Sequence, residues 1–234
     1  MTSLPLAVRA AVVCSMLSLL STVARAQGGG SAVIDEGTFT ITRSGAPVGR
    51  ESFRIIRAPA PGGQVYQATG TSVIADVKAT MRLGTDSIGS PVAYESEVSE
   101  ASQLVQRLRG RGRPNRFGLF VQTRTGESAR EFVVSNRVLL LDESVYHHFF
   151  FVGLAAHQGE LIVISPRSAQ QERMRLQSRG VEGVEIAGRT ISGRRVSLVN
   201  GDGPREVWLD EQGRLLKVAI PDQGIVALRD DPPK

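Results

Sequence analysis

Cysteine is nearly absent from this chain, since Cys14 is the only one among 234 residues. A chain with one cysteine cannot form an internal disulfide bond, and it has no thiolate pair to hold zinc. The three histidines are His147, His148 and His157, and they form neither an HExxH nor a His-x-x-x-His pattern. The sequence therefore predicts no metal site and no cofactor.

Catalytic signatures are also missing. No G-x-S-x-G motif supplies a nucleophile, and neither G-x-x-x-x-G-K-[ST] nor G-x-G-x-x-G supplies a phosphate-binding loop. Neighbouring carboxylates such as Asp142 and Glu143 lie at predicted turns or caps, whereas an acid–base pair must face across a cleft. We predict a protein that is not an enzyme. An envelope hydrolase is the weakest alternative, and it would need an activity that depends on His147 or His148.

Long apolar runs are confined to the N-terminus. Residues 10–24 are uncharged and largely apolar; they follow Arg9 and end in the small-x-small sequence "ARA". These features are typical of a signal peptide cleaved after residue 26. The run is shorter than the roughly 20 residues that span a bilayer, and Val13 before Cys14 does not fit a lipid-attachment site. We expect a soluble exported protein, periplasmic or secreted.

Positive charge is in slight excess. Loss of the signal peptide removes two arginines and lowers the formal net charge from +5 to +3, which does not indicate nucleic acid. An extended chain would project the alternate arginines of "QRLRGRGRPNR" from one face; they are Arg107, Arg109, Arg111 and Arg113. We expect a solvated hairpin whose arginines hinder edge pairing. Attraction to an anionic membrane surface is the second interpretation, and export argues against a nucleic-acid partner.

Alternation of apolar and polar residues dominates the rest of the chain. In "VKATMRL" every second residue is apolar, and "TFTIT", "ESFRIIR" and "RFGLFVQT" follow the same rule. A period of two is typical of antiparallel strands with one buried face. The stretch "RRVSLVNGDGPREVWLDEQGRLLKVAIP" predicts three consecutive strands, and "SAQQERMRLQS" favours another. We predict a signal peptide at 1–26, a flexible tether at 27–36 and one β-rich domain at 37–230.

One segment departs from this pattern. "ESVYHHFFFVGLAAHQGE" carries all the histidines, and its apolar residues Val145, Phe149, Val152 and Ala156 follow a helical spacing. The segment is nearly apolar all round, which indicates burial on most sides, and Asp142 or Ser144 could cap it. We predict a buried helix that covers the concave face of the sheet, with its histidines at the polar ends rather than around a metal.

The two ends of the predicted domain carry a resemblance. "GTFTITRSGAPVGRESFRI", "VEIAGRTISGRRVSLV" and "EVWLDEQGRLLKVAIPDQGIVALRD" are similar to hairpins of uncharacterised bacterial exported domains, which resemble the lipoprotein-carrier (LolA-like) fold. The resemblance implies a strongly curved antiparallel sheet, an open half-barrel packed around one apolar helix. It also implies a concave apolar cavity suited to acyl chains. It implies no activity and no functional residues.

These observations lead to a functional prediction. We expect an envelope protein that binds a lipid or another apolar ligand in the concavity of the sheet. The side chains that alternation and the apolar segment place there are Phe39, Phe53, Met81, Phe117, Leu119, Phe149 and Phe150. The alternative is a structural or interaction module that fills the cavity with its own side chains and recruits an envelope protein at an exposed sheet edge.

Overall fold

The computed structural model describes residues 30–61, 63–134, 137–155, 159–201 and 203–234. The predicted signal peptide lies outside the described residues, as does His157. These ranges contain fifteen strands: β1 Ala32–Arg43, β2 Ala46–Ala60, β3 Gly63–Ile74, β4 Val77–Thr85, β5 Pro91–Glu100, β6 Gln103–Arg113, β7 Arg116–Thr123, β8 Glu127–Val133, β9 Val138–Leu140, β10 Gly159–Ser165, β11 Gln170–Ile186, β12 Arg189–Asn200, β13 Gly203–Leu209, β14 Leu215–Ile220 and β15 Ile225–Arg229. The predicted mainly β fold is confirmed.

All the strands belong to one sheet, in the order β8 through β1 and then β15 through β9. Neighbours in sequence are therefore neighbours in space, and the first and last strands pair in the middle of the sheet, with Phe39 opposite Arg229. The sheet curls until β9 contacts β5. The side chain of Gln171 then reaches across from β11 and donates a hydrogen bond to the Val133 carbonyl of β8 at 3.1 Å. The result is a barrel-like sheet that is open along a seam between β8 and β9.

The pairs of neighbouring strands are antiparallel except for β9 with β10. A parallel pair requires a crossover connection, because the chain must return to the starting end of the sheet. Here the crossover runs through the interior. We call its described part, residues 142–155, the plug. It contains a 3₁₀ turn at His147–Phe149 and α1 at Phe150–Leu154, and a further 3₁₀ turn follows β14 at Pro221–Gln223.

The predicted alternation holds in the strands. In β4, Ala79, Met81 and Leu83 are buried, whereas Lys78 and Arg82 are exposed. The same rule buries Phe117, Leu119 and Val121 in β7. The arginines of β6 point outward as predicted, since Leu108 and Gly110 between them are buried. The three predicted C-terminal strands are β12, β13 and β14, with Gly213 at φ +79° in the second turn.

Three finer expectations are wrong. Strand β1 begins at Ala32, so the predicted tether at 27–36 includes part of the sheet. The helix is shorter than predicted because a 3₁₀ turn forms its first part, and no side chain caps either helical segment. His147 and His148 do not lie at polar ends, since both side chains are fully buried. Buried carboxylates, described below, make that burial tolerable.

Two further features stabilise the sheet. At its centre, Arg229 donates to Asp35 at 2.7 Å, and both side chains are buried. Asp35 also accepts from the Leu215 amide at 3.0 Å, so one ion pair links β1, β14 and β15. On the outer face, the β11–β12 hairpin packs Val184 and Ile186 against Trp208 and its neighbours, forming a second hydrophobic cluster. Within the described residues, no helix is long and apolar enough to span a membrane.

Candidate ligand-binding site

The interior divides into two ends. At the plug end, β1 finishes at Arg43 and the plug enters from β9. At the seam end, the β4–β5 turn at residues 86–90 lies beside the start of β9, and an added Cβ at Gly89 would lie 3.4 Å from Phe151 and 3.6 Å from Leu139. The division follows from the path of the chain. The plug runs once through the interior, from the end of β9 to the start of β10, and so has one end of the barrel at each of its own ends. The two ends have different chemistry.

Glu51 of β2 holds the start of the plug. Its carboxylate accepts hydrogen bonds from the Tyr146 and His147 backbone amides at 2.7 Å each. The Nδ1 atom of His147 lies 2.7 Å from the same carboxylate, and both side chains are fully buried. Amides at the start of a helical segment lack intrahelical partners, and a buried carboxylate is an effective acceptor for them. Glu51 therefore replaces the side-chain cap that the plug itself does not provide.

A gap in the inner face of the sheet accommodates His147. Gly70 of β3 has no side chain, and an added Cβ there would lie 2.6 Å from the His147 ring. The ring stacks on Phe53 with centroids 5.7 Å apart, and Phe53 in turn stacks on Phe39 at 5.0 Å. The plug is therefore positioned by polar contacts to Glu51 and by the shape of the sheet around Gly70.

A second buried carboxylate, that of Asp142 at the start of the plug, anchors the plug to β5 and to the turn that follows β10. Its oxygens accept from the Tyr94 hydroxyl, the Glu143 amide at 2.9 Å and the Arg167 amide at 3.2 Å. Burial raises the pKa of Asp142, although the nearby Arg167 guanidinium and the Tyr94 hydrogen bond act in the opposite direction. Burial also raises the pKa of Tyr94 well above its usual value, and the Asp142 charge adds to this. Tyr94 thus remains a neutral donor.

His148 completes this polar layer. Its Nδ1 accepts from the Asp142 amide at 3.4 Å, and its ring lies 4.7 Å from that of His147. Burial lowers the pKa of His148 well below its usual value, and the charges of His147 and Arg167 lower it further. The Nε2 atoms of both histidines are buried without a hydrogen-bond partner, as are the hydroxyls of Ser72 and Ser96. Within the described ranges, no group of three or more His, Cys, Asp or Glu residues could hold a metal.

The seam end carries an apolar pocket of about 400 Å³, which we call the seam pocket. Its apolar lining is contributed by the β4–β5 turn, β5, β7 and the chain around β9; the residues are Ile88, Pro91, Val92, Pro114, Phe117, Val134 and Val138. Ile88 and Val92 remain 52% and 49% exposed. Large aliphatic side chains that stay half exposed around a concavity are typical of a binding surface.

Charged side chains surround this pocket unequally. Arg113 and Arg116 line it, and they lie opposite each other where the β6–β7 hairpin turns. Arg116 forms an ion pair with Glu131. Asp86 also lines the pocket, but its carboxylate accepts the amides of Ile88 at 3.0 Å and Ser90 at 2.8 Å. The pocket is therefore apolar inside and basic at its rim.

Two other concavities are more polar. A cleft of about 390 Å³ at the plug end is lined by Phe149 and Tyr146, together with charged residues such as Glu143, Glu172 and Arg205. Glu172 and Arg205 pair with each other at 2.8 Å, and burial raises the pKa of Tyr146 to about 12. A groove of about 630 Å³ on the outer face of β3–β6 is lined mostly by charged and hydroxyl side chains, and Met81 and Leu108, whose own side chains are buried, border it.

The structure places the seven predicted ligand residues in a single buried cluster. Phe117 lines the seam pocket, Phe149 lines the cleft at the plug end, and Met81 borders the outer groove. Phe39 and Phe53 stack in the core, and Phe150 packs on Tyr66 with centroids 6.1 Å apart. Leu119 is buried as well. Their assignment to ligand binding stays a prediction.

Sequence reasoning missed Glu51, Ile88 and Val92. For Glu51 the signal was present, because it shares the apolar face of "ESFRIIR" with Phe53 and Ile55. A charged residue at a core position of a strand indicates a buried partner. No comparable signal marked Ile88 and Val92, because their role depends on where the turn meets β9.

Comparison with known proteins supports the fold and no more. No protein-family model matches the chain, and no curated protein matches it. Among solved structures, the chain is similar to a β-barrel-like protein of the domain of unknown function DUF1849 from Brucella abortus, with a TM-score of 0.54 and 8% sequence identity. The match covers 84% of this chain and 95% of the other. The chain is thus similar to an uncharacterised β-barrel-like domain.

Proposed function

We propose that this protein is a non-enzymatic component of the cell envelope that binds a lipid or another apolar ligand in the seam pocket. The observation that carries the proposal is the pocket itself. Ile88 and Val92 stay half exposed there beside the buried ring of Phe117. Exposing two aliphatic side chains at a concavity is unfavourable by roughly 25 cal/mol per Å². An apolar ligand would remove that cost.

The size and position of the pocket agree with this proposal. A volume of about 400 Å³ falls within the roughly 300–1,000 Å³ typical of small-molecule sites. The plug fills the deeper concavity with Phe149, Phe150 and Phe151, which are buried. The proposed ligand therefore occupies the seam rather than the centre of the barrel. The resemblance to the LolA-like fold implies an acyl chain in the concavity of the sheet, whereas this proposal places it in the seam pocket.

Export is part of the proposal and rests on the sequence. The charged start, the short apolar run and the "ARA" sequence at residues 24–26 are typical of a cleaved signal peptide. A lipid-binding protein in the periplasm or outside the cell would meet its ligand in the surrounding membranes.

Native mass spectrometry tests the proposal directly. The mature protein is purified from an exported expression without detergent, and its mass is recorded before and after organic extraction. We expect a stoichiometric mass shift that extracts as lipid. Val92→Asp should lower lipid retention at least about tenfold, because a charge next to an acyl chain costs more than ~1.4 kcal/mol. Val92 is half exposed, so the variant should fold.

Val181→Asp is the matched control. Val181 is a 69% exposed strand valine of β11, and it does not line the seam pocket. This variant should retain lipid like the wild-type protein. A wild-type protein that is well folded and carries no lipid, even after incubation with vesicles, would contradict the proposal.

A second candidate function is an interaction module that recruits a partner by strand addition. It is favoured by β8, which ends the sheet and exposes the first five of its seven residues. Open edge strands pair readily with extended peptides. Its charged residues Glu127, Arg130 and Glu131 oppose indiscriminate pairing. Co-purification of one envelope protein, lost when Ala129 is changed to proline, would favour this candidate.

A further inference from the structure

We infer that the ligand of the seam pocket is an amphiphile whose acyl chain ends in an anionic head group, a carboxylate or a phosphate, and that Arg113 binds this group. The inference rests on the proposed function and names its ligand class. It depends on the pairing of charges around the pocket.

Arg113 is the arginine of the pocket rim that has no partner among the described residues. It ends β6 and lies directly opposite Arg116, which begins β7. Arg116 is paired with Glu131. For Arg113, by contrast, no hydrogen bond, ion pair or ring contact is formed with the residues that the structure describes. Like charges directly opposite each other in a sheet are destabilising. An anion at this position would relieve that repulsion.

The acidic groups nearby are already engaged. Asp86 lines the same pocket, and its carboxylate accepts the backbone amides of Ile88 and Ser90. Glu131 contacts Arg116 rather than Arg113. Neither carboxylate therefore offers Arg113 a partner in the described structure. The rim retains a guanidinium group, which suits planar two-point binding of a carboxylate or phosphate.

The apolar and charged parts of the pocket are arranged as an amphiphile requires. Buried Phe117 and Val138 form the inner wall, and Ile88 and Val92 continue it towards solvent. Arg113 is exposed at the same opening. An acyl chain along the wall would bring its terminal group to the arginine. A neutral hydrocarbon would cover the wall and leave the charge unmatched.

The test compares ligands that differ only in the head group. Binding of hexadecanoic acid, hexadecanol, an acyl lysophosphatidic acid and a neutral monoacylglycerol is measured by displacement of a fluorescent fatty acid from the mature protein. We expect each acidic ligand to bind at least about tenfold more tightly than its neutral counterpart, which corresponds to ~1.4 kcal/mol. Preference for hexadecanoic or lysophosphatidic acid identifies the carboxylate or the phosphate as the natural head group.

Variants assign the preference to Arg113. Arg113→Gln should remove the discrimination while hexadecanol still binds, and Arg113→Glu should reverse it. Arg109→Gln is the control, because Arg109 is an exposed arginine of the same strand outside the pocket, and it should behave like wild type. Equal affinity of wild type for acid and alcohol would overturn this inference and leave the proposed function standing. Failure to bind any of the four ligands would overturn both.

Discussion

The two ends of the interior differ in polarity: the plug end is polar and the seam end is apolar. At the plug end, the buried carboxylates of Glu51 and Asp142 accept hydrogen bonds from backbone amides of the plug, and Asp142 also accepts one from the Tyr94 hydroxyl of β5. At the seam end, the walls are aliphatic, Ile88 and Val92 stay half exposed, and the charges lie outside at the rim. One end is closed by hydrogen bonds with defined geometry, and the other is left apolar and accessible.

The difference shows how a curved sheet can hold both a core and a pocket. Apolar packing alone would let the plug slide along the concave face, because hydrophobic burial has little directionality. Buried hydrogen bonds are directional, and they are costly when broken. We infer that the carboxylates determine how far the plug extends, and hence how much of the seam end remains open.

The largest expected effect follows from removing Glu51. Glu51→Ala would leave the Tyr146 and His147 amides and the His147 ring without their buried acceptor. We expect a loss of about 3–5 kcal/mol in the free energy of unfolding, measured by urea denaturation. Glu51→Gln keeps one acceptor oxygen and should lose less.

The control for Glu51 is Glu97→Ala. Glu97 pairs with Arg107 at 2.8 Å, but about half of its side chain is exposed, so the change should stay within about 1 kcal/mol. If Glu51→Gln were as stable as wild type, the carboxylate would not anchor the plug, and the contrast between the two ends would fail.

A smaller effect is expected when the sheet's shape is altered without touching a polar group. Gly70→Ala would place a methyl group against the His147 ring, and such overpacking costs about 1–3 kcal/mol. Gly118→Ala is the matched strand variant, because its nearest atom would be the Arg111 carbonyl oxygen at 3.9 Å. It should be neutral or stabilising by up to about 1 kcal/mol. Urea denaturation of both proteins checks the difference; equal stabilities would show that the plug adapts freely.

The smallest effect concerns pH. The pKa of His148 is lowered by burial, so below its unfolded value of about 6.5 the unfolded chain binds a proton that the folded protein does not. Protonation of His148 in the unfolded chain therefore lowers the free energy of unfolding as the pH falls below that value, by at most ~1.4 kcal/mol per pH unit. Above that pH the residue is neutral in both states and its ionisation has no effect. The raised pKa of Asp142 acts in the opposite direction.

Comparison of wild type with His148→Gln isolates the contribution of His148 to the pH dependence of stability, because both proteins retain Asp142, His147 and Arg167. Unfolding free energies are measured between pH 7.5 and 5.5. We expect the variant to lose less stability on acidification than wild type, whatever its stability at neutral pH. Identical slopes would show that His148 takes up a proton in the folded protein.

Much of the fold could be predicted from the sequence because a strand with one buried face carries its pattern locally. "VKATMRL" needs no distant information to show that Met81 faces inward and Arg82 outward. The apolar segment likewise predicted burial, since Phe149, Phe150 and Phe151 stabilise only where water is excluded. The pairing of the first strand with the last, in contrast, has no local signal.

The candidate site was harder to predict from the sequence, because it too has no local signal. The seam pocket is formed where the β4–β5 turn, the β6–β7 hairpin and β9 meet, and each of these is unremarkable by itself. In the sequence, Arg113 is one of four alternating arginines, and the pattern does not distinguish it from the other three. Arg113 differs from Arg109 because it lines the pocket and lies opposite Arg116, whereas Arg109 lies opposite Glu95, and both differences depend on strand pairing.

The pairing of β1 with β15 also determines when the fold can form. Phe39 and Arg229 are opposite each other although nearly the whole domain lies between them in sequence. During synthesis, which delivers the chain from its N-terminus, β1 emerges early and lacks its second neighbour until β15 has been made. Contacts this distant in sequence slow folding and prolong the exposure of unpaired edges. The middle of the finished sheet is therefore its most vulnerable place in the nascent chain.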